Sequence, residues 1–343
     1  MGEYQAIFRL SDVARKRVTP FIEIPEYDYD FERKKKQKTL EAHIGPFARR
    51  VEKKWGRGVC FVDANLLEPT GRMAYALGLV FRDLHRHGCA AVPVTGPGRP
   101  DNYQAAVHQA IRTGERGVCL RLSLPQVNDR SVQRNLGALM KSLNTKPMDT
   151  DCVLDMSAPG NFEPVDVLVD LLFGVLEQLP HLERWRTLTL MGTSFPRTMG
   201  SLQRGSQLVP RHEWTTYKKL VDRLTRKKLR IPTFGDYCVA HPDIPDIEWW
   251  KMKPAASVRY TTDDAWYVLK GESVRKKGFG QYRDLCQEVA SSPHFTRGLS
   301  QGDRYIAECA LGGATGSLTT WREVATNHHI EKVTRDISNL FAP

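Results

Sequence analysis

The stretch Gly58-Val59-Cys60-Phe61-Val62-Asp63 is a short apolar run that ends on a carboxylate, and Asp151-Cys152-Val153-Leu154-Asp155 repeats its form further along the chain. Runs of this length, rich in Val, Leu and aromatic residues, favour buried β-strands. Eight such runs occur in the sequence, at Val18–Ile24, Gly58–Asp63, Cys89–Val94, Gly117–Leu122, Asp151–Asp155, Thr187–Met191, Ile231–Val239 and Ala256–Tyr260.

Longer amphipathic segments separate most of these runs and show apolar residues at three- and four-residue steps, which is typical of surface helices. The segments are Leu40–Trp55, Gly71–His87, Asn102–Thr113, Arg130–Leu143, Pro164–Leu179 and His212–Lys228. This alternation indicates repeated βα units in an α/β protein, and eight units predict a TIM-like (β/α)8 barrel. An open doubly wound sheet with a C-terminal cap is the alternative.

The pattern weakens late in the chain. Two prolines in His241–Asp246 predict that the seventh helix is shortened or missing. A helix over Gln281–Ala290, a Gly-rich stretch and a closing helix over Trp321–Leu340 follow. We therefore predict a barrel over residues 1–292 and a C-terminal cap over residues 293–343, which is too short to form a stable core alone. In the cap, Gly302 is expected to adopt a positive φ in a turn.

Polar residues stand where the predicted strands end, and in parallel barrels such positions meet at one mouth. Glu23, Asp63, Asp155 and Asp236 are the candidate catalytic carboxylates, because a buried carboxylate needs a partner or a metal. Arg121 and Arg259 are the candidate phosphate-binding cations. Asp63 and Asp155 would hold Mg²⁺ or Mn²⁺, since oxygen ligands suit these ions. The alternative is an internal ion-pair network that stabilises the barrel.

The charge balance adds a second clue to function. The chain has 50 Lys and Arg against 39 Asp and Glu, a net charge of +11, and such an excess attracts phosphate-rich polymers. Basic clusters occur at Arg33–Lys36, Arg49-Arg50, Lys53-Lys54, Arg226–Lys228 and Arg275–Lys277, although a solvated helix face would look the same. Trp249, Trp250 and Tyr260 could stack on nucleic-acid bases, or could instead plug the barrel end.

Several classes of protein are excluded. With 41% hydrophobic residues in 343, the chain can bury a full core. No apolar segment suits a signal peptide or a membrane span, so we expect a cytoplasmic protein with no membrane partner. The seven cysteines form no CxxC pair and are expected to be core residues. No P-loop, HExxH, GxSxG or well-placed GxGxxG motif is present.

Two smaller motifs are weaker indications. Thr95-Gly96-Pro97-Gly98 follows the third predicted strand and could expose backbone amides to an anion, but it is equally well a plain turn. His328 and His329 are adjacent in a predicted helix, so they point in different directions and cannot both face one metal. We expect one of them to approach the polar mouth and the other to lie in solvent.

Six stretches of this sequence together resemble the phage "beta protein" family, which is found in prophages and bacterial mobile elements. They are Gly2–Ala6, Thr19–Ile24, Phe234–Tyr237, Val258–Thr261, Ser300–Asp303 with Ile306, and Asn327–Ile330. The resemblance runs from Gly2 to about Val333 and implies a prophage- or phage-defence-associated protein that acts on nucleic acid, nucleotides or a phage component. Family members commonly carry a few more residues before the Gly-Glu-Tyr stretch, so a first strand there is expected to be truncated or absent.

Two functions follow as hypotheses. The first is a metal-assisted phosphodiester hydrolase acting on nucleic acid or nucleotides. The second is a non-catalytic subunit that binds nucleic acid, or a protein partner from a phage or defence operon. In the first case, substitution of one carboxylate should abolish activity. In the second, the binding affinity is spread over many lysines and arginines and falls steeply with salt.

Overall fold

Ten strands lie in the part of the chain that the computed structural model describes, which is residues 1–25, 39–67, 72–243 and 254–342. They are β1 Phe21–Glu23, β2 Val59–Asp63, β3 Ala90–Thr95, β4 Val118–Ser123, β5 Thr150–Asp155, β6 Thr187–Met191, β7 Gly205–Pro210, β8 Thr233–Gly235, β9 Ala255–Thr261 and β10 Ala265–Ser273. Seven of them form one sheet in the order β1-β2-β3-β4-β5-β6-β8, and every pair in it is parallel. The prediction of an α/β protein is confirmed.

The helices of the described residues mostly separate the strands, as the βα alternation predicts. They are α1 Gly2–Phe8, α2 Asp12–Arg17, α3 Leu40–Ile44, α4 Phe47–Lys54, α5 Met73–Arg86, α6 Asp101–Gly114, α7 Leu124–Asn128, α8 Val132–Ser142, α9 Val165–Gln178, α10 His212–Lys227, α11 Val274–Lys277, α12 Tyr282–Ser291, α13 Gln301–Ala310 and α14 Leu318–Leu340. The helix predicted over Leu40–Trp55 is split between α3 and α4 at Gly45-Pro46. Proline fits the start of a helix but not its interior, so the break falls there.

Successive residues of each strand face opposite sides of the sheet, and the two sides have different partners. One side packs against the helices in the largest apolar core, with Cys60, Val62, Leu120, Leu122, Cys152 and Leu154 among its members. The other side carries a separate, smaller apolar cluster that contains Phe61, Val94, Cys119, Val153 and Met191. The first side is thus the outer face, and the second is the concave inner face.

Contacts across the concave face show that the sheet is curled. Arg121 on the central strand β4 donates to Glu23 Oε1 of β1 at 2.5 Å and to the Tyr237 hydroxyl beyond β8 at 2.9 Å. One side chain therefore reaches both edges of the sheet, which forms a half-barrel. Among the residues that the structure describes, no strand pairing joins β1 to β8, so a closed TIM barrel is not confirmed.

The eighth predicted strand has a different place. The run Ala256–Tyr260 lies in β9, which pairs antiparallel with β10, while β10 pairs antiparallel with β7 in a second, three-stranded sheet. The reason is the short connection: the Thr262 amide donates to the Ala265 carbonyl at 2.8 Å, and the turn between them closes a hairpin. A parallel neighbour would need a crossover of a dozen or more residues, which this turn cannot supply.

The tail helix α14 packs against the N-terminal helices and against elements late in the chain. Helix α14 contacts α1, α2, α13 and β9, and its Ile330 joins the large core. Gly302 lies inside α13 rather than in a turn of positive φ; a Cβ there would stand 2.5 Å from the Val324 carbonyl oxygen, so the residue is needed for the close approach of α13 and α14. The division into a barrel and a cap stays a prediction.

Two further expectations concern the ends of the barrel region. The stretch beginning at Gly2 forms helix α1 and not a strand. The predicted loss of the seventh helix falls largely on residues 244–253, which lie outside the described residues. No helix among the described residues is long and apolar enough to cross a membrane.

Candidate functional site

The carboxyl ends of the strands carry a cluster of charged side chains on the concave face. Glu23, Asp63, Arg121 and Asp155 alternate with residues of the outer face, so each points inward near the end of its strand. Glu23 and Asp63 are direct neighbours in the register of β1 and β2. Since like charges side by side repel, this pair requires a cation.

Arg121 supplies that cation and holds the cluster together. Its Nε donates to Asp155 Oδ2 at 2.7 Å, and its Nη1 donates to Glu23 Oε1 at 2.5 Å and to Asp63 Oδ2 at 3.1 Å. The Tyr237 hydroxyl accepts from Arg121 and donates to Asp155 Oδ2 at 2.7 Å. We call this set, with Arg99, the Arg121 cluster. It brings together three of the four predicted carboxylates and one of the two predicted arginines.

Arg99 is a member that the sequence interpretation did not include. Its two terminal nitrogens donate to Asp63 Oδ1 at 2.7 Å and to Oδ2 at 2.8 Å, and one also donates to the Tyr103 hydroxyl at 2.8 Å. The residue follows the Gly96-Pro97-Gly98 turn directly. A Cβ on Gly96 would stand 2.4 Å from the Arg121 carbonyl oxygen, so the glycine allows β3 and β4 to end close together. The turn thus positions a cation.

Burial differs sharply within the cluster. The Asp63 side chain is 1% exposed and that of Asp155 is 7% exposed, whereas Arg121 is 19% and Glu23 is 31% exposed. Burial by itself would raise the pKa of Asp63, but hydrogen bonds from Arg99 and the charges of Arg99 and Arg121 lower it below its usual value. Asp63 and Arg99 therefore form a charged pair beneath the mouth, and Glu23 is the carboxylate that solvent reaches.

The predicted metal ligands Asp63 and Asp155 are both in the cluster, and each binds Arg121. An Mg²⁺ or Mn²⁺ ion shared by these carboxylates would take over positions that the guanidinium occupies. Arg99 also donates to both carboxylate oxygens of Asp63, so the ion would compete with a second guanidinium there. The ion-pair arrangement that the sequence left open as the alternative is what these contacts form.

Asp236, the fourth predicted carboxylate, belongs to another set of contacts. It follows β8, and its Oδ2 accepts from His329 Nε2 of α14 at 2.7 Å, while its Oδ1 accepts from the Cys238 amide at 2.8 Å. Burial would raise the pKa of Asp236, but the charge and hydrogen bond of His329 outweigh it and lower that pKa. Asp236 and Tyr237 are consecutive, and they point to different partners.

Both adjacent histidines are buried, each 1% exposed, so the expectation that one lies in solvent is wrong. His328 Nε2 bonds the Thr261 carbonyl oxygen at 2.8 Å, and its Nδ1 lies 2.9 Å from Asp303 Oδ1. His329 Nδ1 lies 2.9 Å from the Thr261 hydroxyl. Helix α14 is covered here by α13 and β9, which explains the burial. As expected, the two rings face different partners.

The other predicted binding residues lie apart from the Arg121 cluster. Arg259 on β9 donates to the Val239 carbonyl oxygen at 2.9 Å and lies over the Phe195 ring. Burial is the main cause that lowers the Arg259 pKa to about 10, and the charge of Arg322 adds to it. Tyr260 is fully buried, with its ring stacked on His328, so a base cannot reach it in this structure. Trp249 and Trp250 lie outside the described residues.

The fold and the cluster define the class: a mixed α/β protein with a curled, seven-stranded parallel sheet whose carboxyl mouth carries a cluster of arginine–carboxylate pairs. A sequence model of the Beta protein family matches residues 1–335. The chain belongs to that family, as its motifs predict. Among curated proteins, a search found no match.

The stretches that carry the resemblance meet around α14. Asn327 Nδ2 donates to the Ala6 carbonyl oxygen at 3.1 Å, and its side-chain oxygen accepts from the Gly302 amide at 3.0 Å. The next two residues, His328 and His329, bind Asp303 and Asp236. Four distant motifs are therefore parts of one buried polar network.

Proposed function

We propose that the protein is a hydrolase of phosphodiester bonds, in nucleic acid or nucleotides, that works at the carboxyl mouth of the half-barrel. One observation carries this proposal: Glu23, Asp63 and Asp155 converge on Arg121 at the ends of three different strands. Reacting groups of parallel α/β sheets usually assemble at these ends. The net charge of +11 favours a phosphate-rich substrate.

Glu23 is the candidate general base. Its side chain is the most exposed of the three carboxylates, and Arg121 binds it through Oε1. A base must be fixed and accessible to take a proton from water, and Glu23 meets both needs. Asp63 and Asp155 position Arg121, which in turn orients Glu23.

Metal assistance by Mg²⁺ or Mn²⁺ is part of the proposal, and it requires that the ion displace Arg121 from two carboxylates. Such an ion prefers carboxylate oxygens, and Asp63 and Asp155 would supply them. Because both carboxylates bind Arg121, the ion has to compete with a guanidinium. Replacing Arg121 with Met should then tighten Mn²⁺ binding, which calorimetric titration of the folded variant measures.

Cleavage assays test the hydrolase directly. The purified protein is incubated with Mg²⁺ or Mn²⁺ and with DNA, RNA or cyclic nucleotides. A general base contributes roughly 10²- to 10⁴-fold to a rate, so Glu23→Gln should lose at least about 100-fold. Glu41→Gln is the matched control, since Glu41 is an exposed carboxylate that also binds an arginine, Arg72. Absence of cleavage of all substrates by the unaltered protein, or equal rates for Glu23→Gln, would contradict the proposal.

A non-catalytic subunit that binds nucleic acid is the second candidate, and Arg259 favours it. Among the described residues, no carboxylate lies within ion-pair distance of its guanidinium, so this buried charge lacks the ion-pair partner that a bound anion would supply. A partner from a phage or defence operon would fit the family resemblance. If Arg259 contacts a phosphate, Arg259→Gln should weaken binding uniformly across sequences and lower the salt slope by about one. An unchanged slope would remove this support.

A further inference from the structure

Three side chains of different chemistry meet between the end of β8 and helix α14. The Asp236 carboxylate, the Cys238 thiol and the His329 imidazole each offer a ligand atom, and these atoms all lie within 4.8 Å of one another. Asp236 and Cys238 belong to the loop after β8, and His329 lies nearly a hundred residues further along the chain, on the buried face of α14. This convergence does not involve Arg121 or its partners.

We infer that Asp236, Cys238 and His329 bind a divalent cation of the zinc type. A thiolate, an imidazole and a carboxylate together form a ligand set that zinc and similar borderline metals prefer, whereas Mg²⁺ and Mn²⁺ favour oxygen alone. The site is thus distinct in position and in chemistry from the one proposed at Asp63 and Asp155. It does not depend on the proposed hydrolase.

The local backbone brings the first two ligands to the same side of the loop. Cys238 has a φ of 55°, in the left-handed region that a non-glycine residue rarely adopts, and its amide donates to Asp236 Oδ1 at 2.8 Å. The other oxygen, Oδ2, is left facing His329 Nε2 at 2.7 Å. Zinc bonds of about 2.0–2.3 Å place neighbouring ligand atoms roughly 3.3–3.7 Å apart, so this contact needs to open by only about 1 Å.

Thr261 provides the outer contact that metal-binding histidines usually have. Its hydroxyl lies 2.9 Å from His329 Nδ1 and can accept a hydrogen bond from it. Without a metal, Nε2 donates to Asp236 Oδ2; with a metal in that position, the Thr261 contact would hold the proton on Nδ1 and leave the Nε2 lone pair for the ion. The histidine is therefore oriented for a metal by a residue of a separate strand, β9.

A cation can reach the site, because the Asp236 side chain is 11% exposed and Cys238 is half-buried. Three protein ligands leave the fourth tetrahedral position for water or a further ligand, as in zinc sites that are not closed. The competing arrangement is a plain ion pair between protonated His329 and Asp236, in which the thiol takes no part.

Cobalt titration separates these arrangements. Co²⁺ replaces Zn²⁺ in such sites and shows a thiolate-to-metal charge-transfer band. Protein freed of metal by a chelator should bind one equivalent with that band, and Zn²⁺ should abolish it. Cys238→Ser should remove the band. Cys89→Ala should retain it, since Cys89 is a buried cysteine whose thiol donates a hydrogen bond to the Ala48 carbonyl oxygen.

Thr261→Val gives a second readout that leaves all three ligands in place. Loss of an outer-shell partner typically weakens metal affinity about 10- to 100-fold, and we expect a weakening of that order. No charge-transfer band in the unaltered protein, or a band that persists in Cys238→Ser, would overturn the inference. Neither result uses an activity assay, so each is independent of whether the protein hydrolyses phosphodiesters.

Discussion

Replacing Arg121 with Met is the sharpest test of how the half-barrel is held together. The substitution keeps an apolar stem of similar length and removes one charge from among three carboxylates. Asp63 would keep Arg99, and Glu23 could turn to solvent, but Asp155, which is 7% exposed, would lose its cation. Breaking a buried ion pair from one side costs about 3–5 kcal/mol, so we expect Arg121→Met to lose at least about 3 kcal/mol of unfolding free energy.

Urea unfolding followed by tryptophan fluorescence measures this loss. Asp155→Asn in the Arg121→Met background should recover about 1–2 kcal/mol, because it removes the charge left without a partner. Arg226→Met is the control: Arg226 pairs with Asp222 on the exposed face of α10, and its loss should cost less than about 0.5 kcal/mol. A loss below about 1 kcal/mol for Arg121→Met, or no recovery in the double variant, would refute the reasoning.

Three other outcomes are expected. Because the pKa values of Asp63 and Asp236 are lowered, their contribution to stability is complete above about pH 4 and is lost as the pH falls through those lowered values. Unfolding free energies measured from pH 6 to pH 2 should show this loss. The decline should be shallower in Asp63→Asn. Gly96→Ala should cost about 1–3 kcal/mol because of the contact with the Arg121 carbonyl, whereas Gly137→Ala, with open space around it in α8, should stabilise by up to about 1 kcal/mol in the same urea assay. Deletion of residues 293–343 should leave an insoluble or molten protein, and a soluble truncation with an unchanged cooperative melt would contradict this.

The sequence predicts the parallel sheet well, because buried strands leave a simple signal. Strand β3 is buried on both faces, so five of its six residues are apolar, and β5 has an apolar centre, Cys152-Val153-Leu154, between polar ends. The amphipathic helices between them are recognised by apolar residues at three- and four-residue steps. Seven of the eight predicted runs therefore fall in the main sheet, in chain order.

The eighth run shows the limit of that signal. Apolar character indicates that a strand is buried but does not say which strand lies beside it. Thr262-Asp263-Asp264, directly after β9, is a hairpin turn, and it was the available sign that Ala256–Tyr260 pairs with the next segment. The following strand, β10, which contains Trp266 and Tyr267, is not among the eight predicted runs.

The Arg121 cluster was partly predictable for a reason of geometry. Glu23, Asp63, Arg121 and Asp155 each stand an even number of residues from an inward-facing neighbour, so parity along parallel strands assigns them to one face. Arg99 follows the turn beyond β3, where parity no longer applies. His329 could not be assigned, because the orientation of α14 about its axis depends on its packing partners.

Asp236 and Tyr237 explain why the mouth and the tail are parts of one structure. Consecutive residues in an extended segment point in opposite directions, so Tyr237 turns inward to Arg121 and Asp155 while Asp236 turns outward to His329. A single peptide unit therefore joins the contact with α14 to the contact with the Arg121 cluster. The tail helix and the mouth are thus linked through two adjacent residues, although the two lie in different layers of the fold.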